Sequence, residues 1–258
     1  MRPLFLTAAV LAALPGYSQA GGGAWYVDIH HVAPTLEGHY KGTQDGQPVN
    51  FDIAGDLGLA KDSTPLGLGL EYQGPRFGLE FSVESQNYAG RNVLNRDITI
   101  SGETYNAQET VFSTVKTTTY TGNWTIRFMR TPGFWLGLDL GVRGTTLDLH
   151  ASANNYLLNM PAVAQFKSGL PMPQVGPSAG YYGLDGRLVA RAFYHYLGYQ
   201  GASYHHAGGD LRFFPLKWLG VRAFVDSEGW KVPDNTLSKN LEIGLDRTGA
   251  GFGVVVKF

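Results

Sequence analysis

Phe134, Leu136, Leu138, Leu140 and Val142 fill every even position of one stretch of the chain, and Gly137, Asp139, Gly141 and Arg143 fill most of the odd ones. Successive residues of a strand point to opposite faces, so this stretch has one wholly apolar face and one small or charged face. The same two-residue period returns along the chain, separated by turn signals, and it limits the fold more than any other feature. Ten strands are expected, near residues 25–37, 66–72, 77–84, 110–130, 134–143, 175–184, 188–196, 204–214, 219–226 and 241–258. In the last, Leu241, Ile243 and Leu245 have the opposite parity to Phe252, Val254 and Val256, which predicts a bulge between 247 and 251.

Composition selects among the ways of burying such strands. Hydrophobic residues make up 43% of the chain, yet beyond residue 20 no apolar run is long enough for a membrane-spanning helix. Charged residues are 16%, glycine is abundant at 35 residues and aromatics reach 13%, against about 25% charged in ordinary soluble domains. The expected fold is all-β: a closed, antiparallel, up-and-down transmembrane β-barrel of about ten strands, with eight as the runner-up. Residues 1–20 read as a cleaved signal peptide, with Arg2, an apolar segment from Leu4 to Leu14, and the small-x-small site Ser18-Gln19-Ala20. Residues 21–258 then form a single barrel domain. Cysteine is absent, so no lipid anchor and no disulfide framework is expected. A net charge of −1 leaves no basic stripe and argues against nucleic acid as a partner.

Connections alternate in length. Residues 74–76, 131–133, 184–186 and 215–218 are tight; 38–64, 91–109, 153–174 and 230–239 are longer and polar, with a brief link at 200–203. Short periplasmic turns and longer outer loops have this asymmetry, so both termini are expected in the periplasm and the long loops outside the cell.

The closing residues, Phe252-Gly253-Val254-Val255-Val256-Lys257-Phe258, resemble the C-terminal strand signature of bacterial outer-membrane β-barrel proteins. That resemblance implies an outer-membrane location, lipid as the surrounding partner, and Phe258 as a signal read by the barrel-assembly machinery. Phe51-Asp52-Ile53-Ala54-Gly55-Asp56-Leu57-Gly58-Leu59, followed by two strands joined through Gly74-Pro75-Arg76, is similar to OmpW-like barrels, a resemblance that implies eight strands.

The inward parity collects charge of both signs: Glu71, Glu80, Glu84, Asp139, Asp210 and Asp226, and Arg127, Arg143, Arg187, Arg191, Arg212 and Arg222. Guanidinium groups suit bidentate pairing with carboxylates in a crowded bore. The balance of signs favours a structural plug; a selectivity lining for a narrow channel passing a small solute is the alternative. The histidines are His30, His31, His39, His150, His195, His205 and His206. Neighbouring histidines of a strand face opposite ways and cannot chelate one ion together, so no metal and no cofactor is expected. His195 and His205-His206 flank the link at 200–203 and could meet across it. His195, Ser203 and Asp226 offer in principle the groups of a barrel hydrolase, without any local motif of such enzymes. Trp25, Tyr26, Phe77, Trp124, Phe134, Trp135, Tyr194, Tyr196, Phe213, Trp218, Trp230 and Phe258 are expected to form interfacial girdles. The function expected is that of a non-enzymatic barrel, structural or a narrow small-molecule channel. The alternatives are a surface-interaction barrel using loops 91–109 and 153–174, and an outer-membrane hydrolase.

Overall fold

A computed structural model describes residues 23–44, 47–60, 66–100, 102–155, 160–199, 201–233 and 242–258. The expected signal peptide lies outside the described residues. Among the described residues there are fourteen strands: β1 (Ala24–Gln44), β2 (Gln47–Asp52), β3 (Leu59–Ala60), β4 (Leu66–Gln73), β5 (Phe77–Val93), β6 (Ile98–Ile100), β7 (Glu103–Tyr105), β8 (Thr110–Arg130), β9 (Phe134–Asn155), β10 (Met160–Gly183), β11 (Leu188–Tyr199), β12 (Ala202–Phe213), β13 (Leu219–Val232) and β14 (Glu242–Lys257).

Ten of them form a closed antiparallel ring in the order β1, β4, β5, β8, β9, β10, β11, β12, β13 and β14, and β14 returns to β1. The count of ten follows the alternation and not the eight that the OmpW-like resemblance implies. Short β2, β6 and β7 continue from β1, and β3 pairs with β5.

The four tight turns lie at one end of the ring, here the turn end. Asp185 (φ 54°) and Gly186 (φ 79°) give the chain its left-handed reversal between β10 and β11. The last residue closes the ring there: Trp25 N donates to Phe258 O at 3.2 Å and Phe258 N to Trp25 O at 2.9 Å. The longer connections, with β2, β3, β6 and β7, lie at the loop end.

Outward side chains form an apolar belt on every barrel strand, including Ile29, Leu68, Phe81, Trp124, Leu138, Val142, Val175, Leu211, Val225 and Val254, all exposed. Toward the loop end this face turns polar, with exposed Glu37, Lys41, Lys116, His150, His205 and Asp246. β1, β8, β9 and β10 are 21 to 24 residues long, whereas β11 and β12 have 12. At about 3.3 Å per residue the long strands exceed an apolar band of about 25 Å. One side of the barrel therefore stands well above the belt.

Three expectations are corrected. β1 and β10 are much longer than residues 25–37 and 175–184, because the sequence of their loop-end halves lacks the simple alternation. There is no bulge between 247 and 251, since β14 keeps one register with β13 and with β1 throughout. Ile243, Leu245, Arg247 and Val255 share its inward face, and what changes along that face is the filling of the bore, from apolar at the loop end to charged below. A register shift occurs instead in β8, between Arg127 and Met129. Finally, Tyr26, Trp135 and Trp230 do not join a girdle; all three are buried inside the ring.

Arginine at the midplane of such a belt costs about 2–4 kcal/mol. Leu138→Arg is expected to lower stability by about that amount, measured by denaturant unfolding in phospholipid vesicles, and the penalty should shrink for the same change nearer the belt's rim.

Candidate functional site

The bore is filled in layers. At the turn end Tyr26, Val189, Phe214 and Val255 form a buried apolar cluster, with Lys257 Nζ over the Tyr26 and Phe214 rings at 5.9 and 5.7 Å. At the loop end a larger cluster joins Val49 and Phe51 of β2, Ile53 and Leu57 after it, Leu94, Ile98, Ile100 and Tyr105 around β6 and β7, and the inner faces of β8 and β9 at Val111, Val115 and Leu149. The Phe51–Leu59 segment is thus a folded part of the cap. It is tied down by Arg96 Nη2 on Asp56 Oδ2 at 2.5 Å and by Asn92 Nδ2 donating to Gly55 O at 2.6 Å.

Between these clusters runs a chain of polar contacts. It starts with Glu71 on Arg212 (2.5 Å), continues from Arg212 to Asp210 (2.6 Å), and passes through Arg222, which reaches Asp210 at 3.7 Å and Asp28 at 3.0 Å. Asp28 meets His30 Nδ1 at 2.6 Å, and His30 Nε2 faces Glu84 at 3.5 Å. Glu84 pairs with Arg247 at 2.6 Å; Arg247 leads to Glu228 at 3.6 Å; Glu228 receives Arg143 Nε at 3.1 Å. Arg143 lies 3.9 Å from Asp226, which faces His206 at 3.7 Å. Gln174 Oε1 then bridges His206 Nδ1 (3.2 Å) and His195 Nδ1 (2.9 Å). His195 Nε2 meets Asp139 at 3.1 Å, and Arg191 spans Asp139 at 2.8 Å and Glu80 at 2.7 Å. Thr125 and Ser178 each donate to Asp139 Oδ1.

Alternation explains this convergence. Each of these residues takes the inward position of its strand, and closing the ring brings ten strands' inward positions to one axis. Charges removed from water persist only when paired and hydrogen-bonded.

Ten of the twelve sequence-predicted residues lie in the chain of contacts: Glu71, Glu80, Glu84, Asp139, Arg143, Arg191, Asp210, Arg212, Arg222 and Asp226. Two do not. Arg127 keeps the inward parity but sits at the turn end, where it donates to Gly74 O at 2.6 Å and stacks over the Trp135 ring at 4.4 Å. Arg187 is exposed at the turn end, just past the β10–β11 reversal. Sequence reading missed Asp28, His30, Gln174, Glu228 and Arg247. The simple signal for Glu228 was its even parity with Arg222 and Asp226 on β13. Arg247 was hidden by the supposed bulge, and Asp28 and His30 by the weak alternation of β1.

With these additions the six-to-six balance changes. Among the described residues the chain of contacts holds eight carboxylates, five guanidinium groups and three imidazoles. The imidazoles of His195 and His206 oppose each other across β11 and β12, as expected, with ring centroids 5.7 Å apart. His205 and His206 face opposite ways, one exposed and one buried. The hydrolase set does not assemble: His195 points into the bore, and Ser203 has the outward parity of exposed His205. Asp226 serves His206 instead. Among the described residues no group of three or more His, Asp or Glu is placed to hold a metal ion.

Above the charged layer a cavity of about 60 Å³ lies against the loop-end cap. Leu36, Phe51, Ile53, Leu147 and Leu245 form its apolar wall, and Gln86, Thr117, Glu228 and Arg247 its polar floor.

No protein-family model matches the sequence, and no curated protein matches it. Solved structures do. The outer membrane protease OmpT from Escherichia coli matches at a TM-score of 0.57 with 10% identity, covering 95% of this chain and 99% of that one. This chain is a β-barrel of the outer-membrane type. Ail from Yersinia pestis, solved with a heparin analogue, matches at a TM-score of 0.35 with 11% identity, covering 92% of this chain and 99% of that one. The toluene transporter TodX from P. putida matches at 0.32 with 8% identity, covering 93% and 90%. At these identities the likeness to OmpT is one of fold.

Removing one partner of a buried ion pair costs about 3–5 kcal/mol. Arg191→Met, which strands both Asp139 and Glu80, is expected to lose about that much in guanidinium unfolding, whereas Arg187→Met should leave the midpoint where it is.

Proposed function

We propose that this chain is a plugged, non-enzymatic outer-membrane barrel that carries no axial solute traffic and acts from its loop end. The observation that supports this most is the layered filling of the bore, apolar at both ends and crossed between them by a chain of ion pairs joined through Gln174. A conducting lumen needs free polar surface along its whole length; here the polar groups engage one another. OmpT is named a protease, but reading this chain as non-enzymatic rests on its own residues. Its buried imidazoles are engaged with carboxylates and with Gln174, away from Ser203.

The uneven strand lengths support an orientation with the turn end in the periplasm and the tall side of the barrel outside the cell. In that setting outer-membrane lipid surrounds the belt, and the barrel-assembly machinery would take up the chain through β14 and Phe258. The cap built from β2, β6 and β7 would then be a folded surface platform, the part best placed to meet an external partner.

Planar-bilayer recording separates this reading from the channel alternative. The purified chain is expected to add no steady current across salt gradients, and discrete ohmic steps would overturn the plugged reading. Protease added to intact cells should cut within residues 94–108; protection there alongside cutting at 74–76 would reverse the orientation.

A further inference from the structure

Elsewhere in this barrel cations find carboxylates. The five arginines of the bore each meet two, and at the loop end Lys41 lies 3.9 Å from Glu242 and Arg96 pairs with Asp56. The turn end departs from this habit. Arg76, Arg127, Arg130, Arg187, Lys217 and Lys257 gather there, on the tight turns and the strand ends beside them. Among the described residues none of the six has a carboxylate within ion-pair distance. Asp185 is the one acidic side chain on the four turns.

Three of the six cations share a hollow. A cleft of about 590 Å³ opens at the turn end of the bore, with Arg127, Arg130, Lys257 and the lone acid Asp185 in its wall. Its volume is that of an ordinary small-ligand site. Its inner end is shut, because Tyr26 of the wall also belongs to the buried apolar cluster of Val189, Phe214 and Val255. The cleft is therefore a blind vestibule: what enters it is held and not passed on.

Contacts other than ion pairs position these cations. Arg127 is anchored by Nη1 on Gly74 O and by the Trp135 ring, and its Nε is buried without a hydrogen-bond partner. Lys257 Nζ stands over the rings of Tyr26 and Phe214, whose π faces attract an ammonium but leave its charge uncancelled. The polar groups behind the wall are engaged with one another. Tyr182 donates its hydroxyl to Gln73 Oε1 at 2.6 Å, Gln73 Nε2 donates to Glu71, and Glu71 is committed to Arg212.

Three positive side chains against one negative leave the wall with two uncompensated positive charges, and a recess lined by one sign of charge concentrates its counter-ion. A phosphate monoester carries about −1.5 to −2 near pH 7 and three strong acceptor oxygens, whereas one carboxylate supplies a single charge. The guanidinium fork matches phosphate oxygens in pairs, and lysine adds a point charge. We propose that the turn-end vestibule is a binding site for a phosphate group, held by Arg127, Arg130 and Lys257. That phosphate has two possible sources, a soluble phosphorylated compound and the headgroup of a lipid in the adjoining leaflet. The site belongs to the barrel itself, whichever side of the membrane its turn end faces.

Inorganic phosphate is titrated calorimetrically, at fixed ionic strength, into the full barrel held in phosphatidylcholine nanodiscs. Saturable binding at one site is expected. Arg130→Gln combined with Lys257→Gln should weaken it about tenfold or more, the scale of charge-assisted hydrogen bonds. Lys217→Gln, outside the cleft, should leave it unchanged. Asp185→Asn removes the one negative charge and keeps a side chain suited to its φ of 54°. It should tighten binding several-fold, a gain that a misfolded barrel cannot give. Native mass spectrometry of the barrel released from nanodiscs containing phosphatidylglycerol separates the sources. A retained phosphatidylglycerol that the double variant loses assigns the lipid; bound inorganic phosphate without retained lipid assigns the soluble compound. The proposal is overturned if neither probe is held, if the wild type and the double variant hold it equally, or if Asp185→Asn leaves the affinity where it was.

Discussion

Hydrocarbon offers no hydrogen bonds, so every backbone N–H and C=O at membrane depth needs a partner within the protein. The rest of this structure follows from that constraint. Strands satisfy it only when the sheet closes, and closure here joins the first strand to the last over sixteen consecutive residue pairs. Closure also fixes what the side chains do. One parity must dissolve in lipid, and the other is driven into a shared interior where ten strands' worth of groups compete for a narrow axis.

That interior is settled by sorting. Apolar inward residues gather at the two ends and charged ones in the middle, so each layer is matched to itself. The charged layer is stable as a continuous path and not as separate pairs: Arg191, Arg143, Arg212, Arg222 and Arg247 each touch two carboxylates, and Gln174 joins two imidazoles. A planar guanidinium with five donors can bridge in this way and an ammonium cannot, which accounts for the absence of lysine from the path. The three imidazoles lie between carboxylates and the rest of the path.

Much of this was legible in the sequence. The strict alternation at Phe134–Arg143 and Leu219–Asp226 carries the barrel, the count of ten and most of the charged layer, because a two-residue period maps directly onto inside and outside. Legibility failed where the two faces stopped differing. Above the belt, β1 and β9 lose the contrast between an apolar outer face and a polar inner one, so their ends were placed too early. Ile243 and Leu245 looked out of phase because an inward position was assumed to be polar, while the loop-end cap makes the upper bore apolar. Trp135 and Trp230 were read as interfacial from their nearness to strand ends, whereas both point into the ring, Trp230 with its indole N–H on Glu228. Arg127 has the expected inward parity, but parity does not give height along the bore, and it sits at the turn end outside the charged path.

The contact between β1 and β14 has a further consequence, for how the chain reaches this state. Tyr26 pairs with Lys257 and Lys41 with Glu242, partners separated by nearly the whole chain. Pairings so distant in sequence must overcome the largest loss of chain freedom before any of their stabilisation is gained, and topologies dominated by them fold slowly. Hairpins such as β8–β9 can zip early, but until the last strand arrives both β1 and β13 present bare edges, the kind of surface that recruits other strands. The chain is therefore most vulnerable to aggregation just before β14 docks, and it gains most from a catalyst that delivers that strand last and directly.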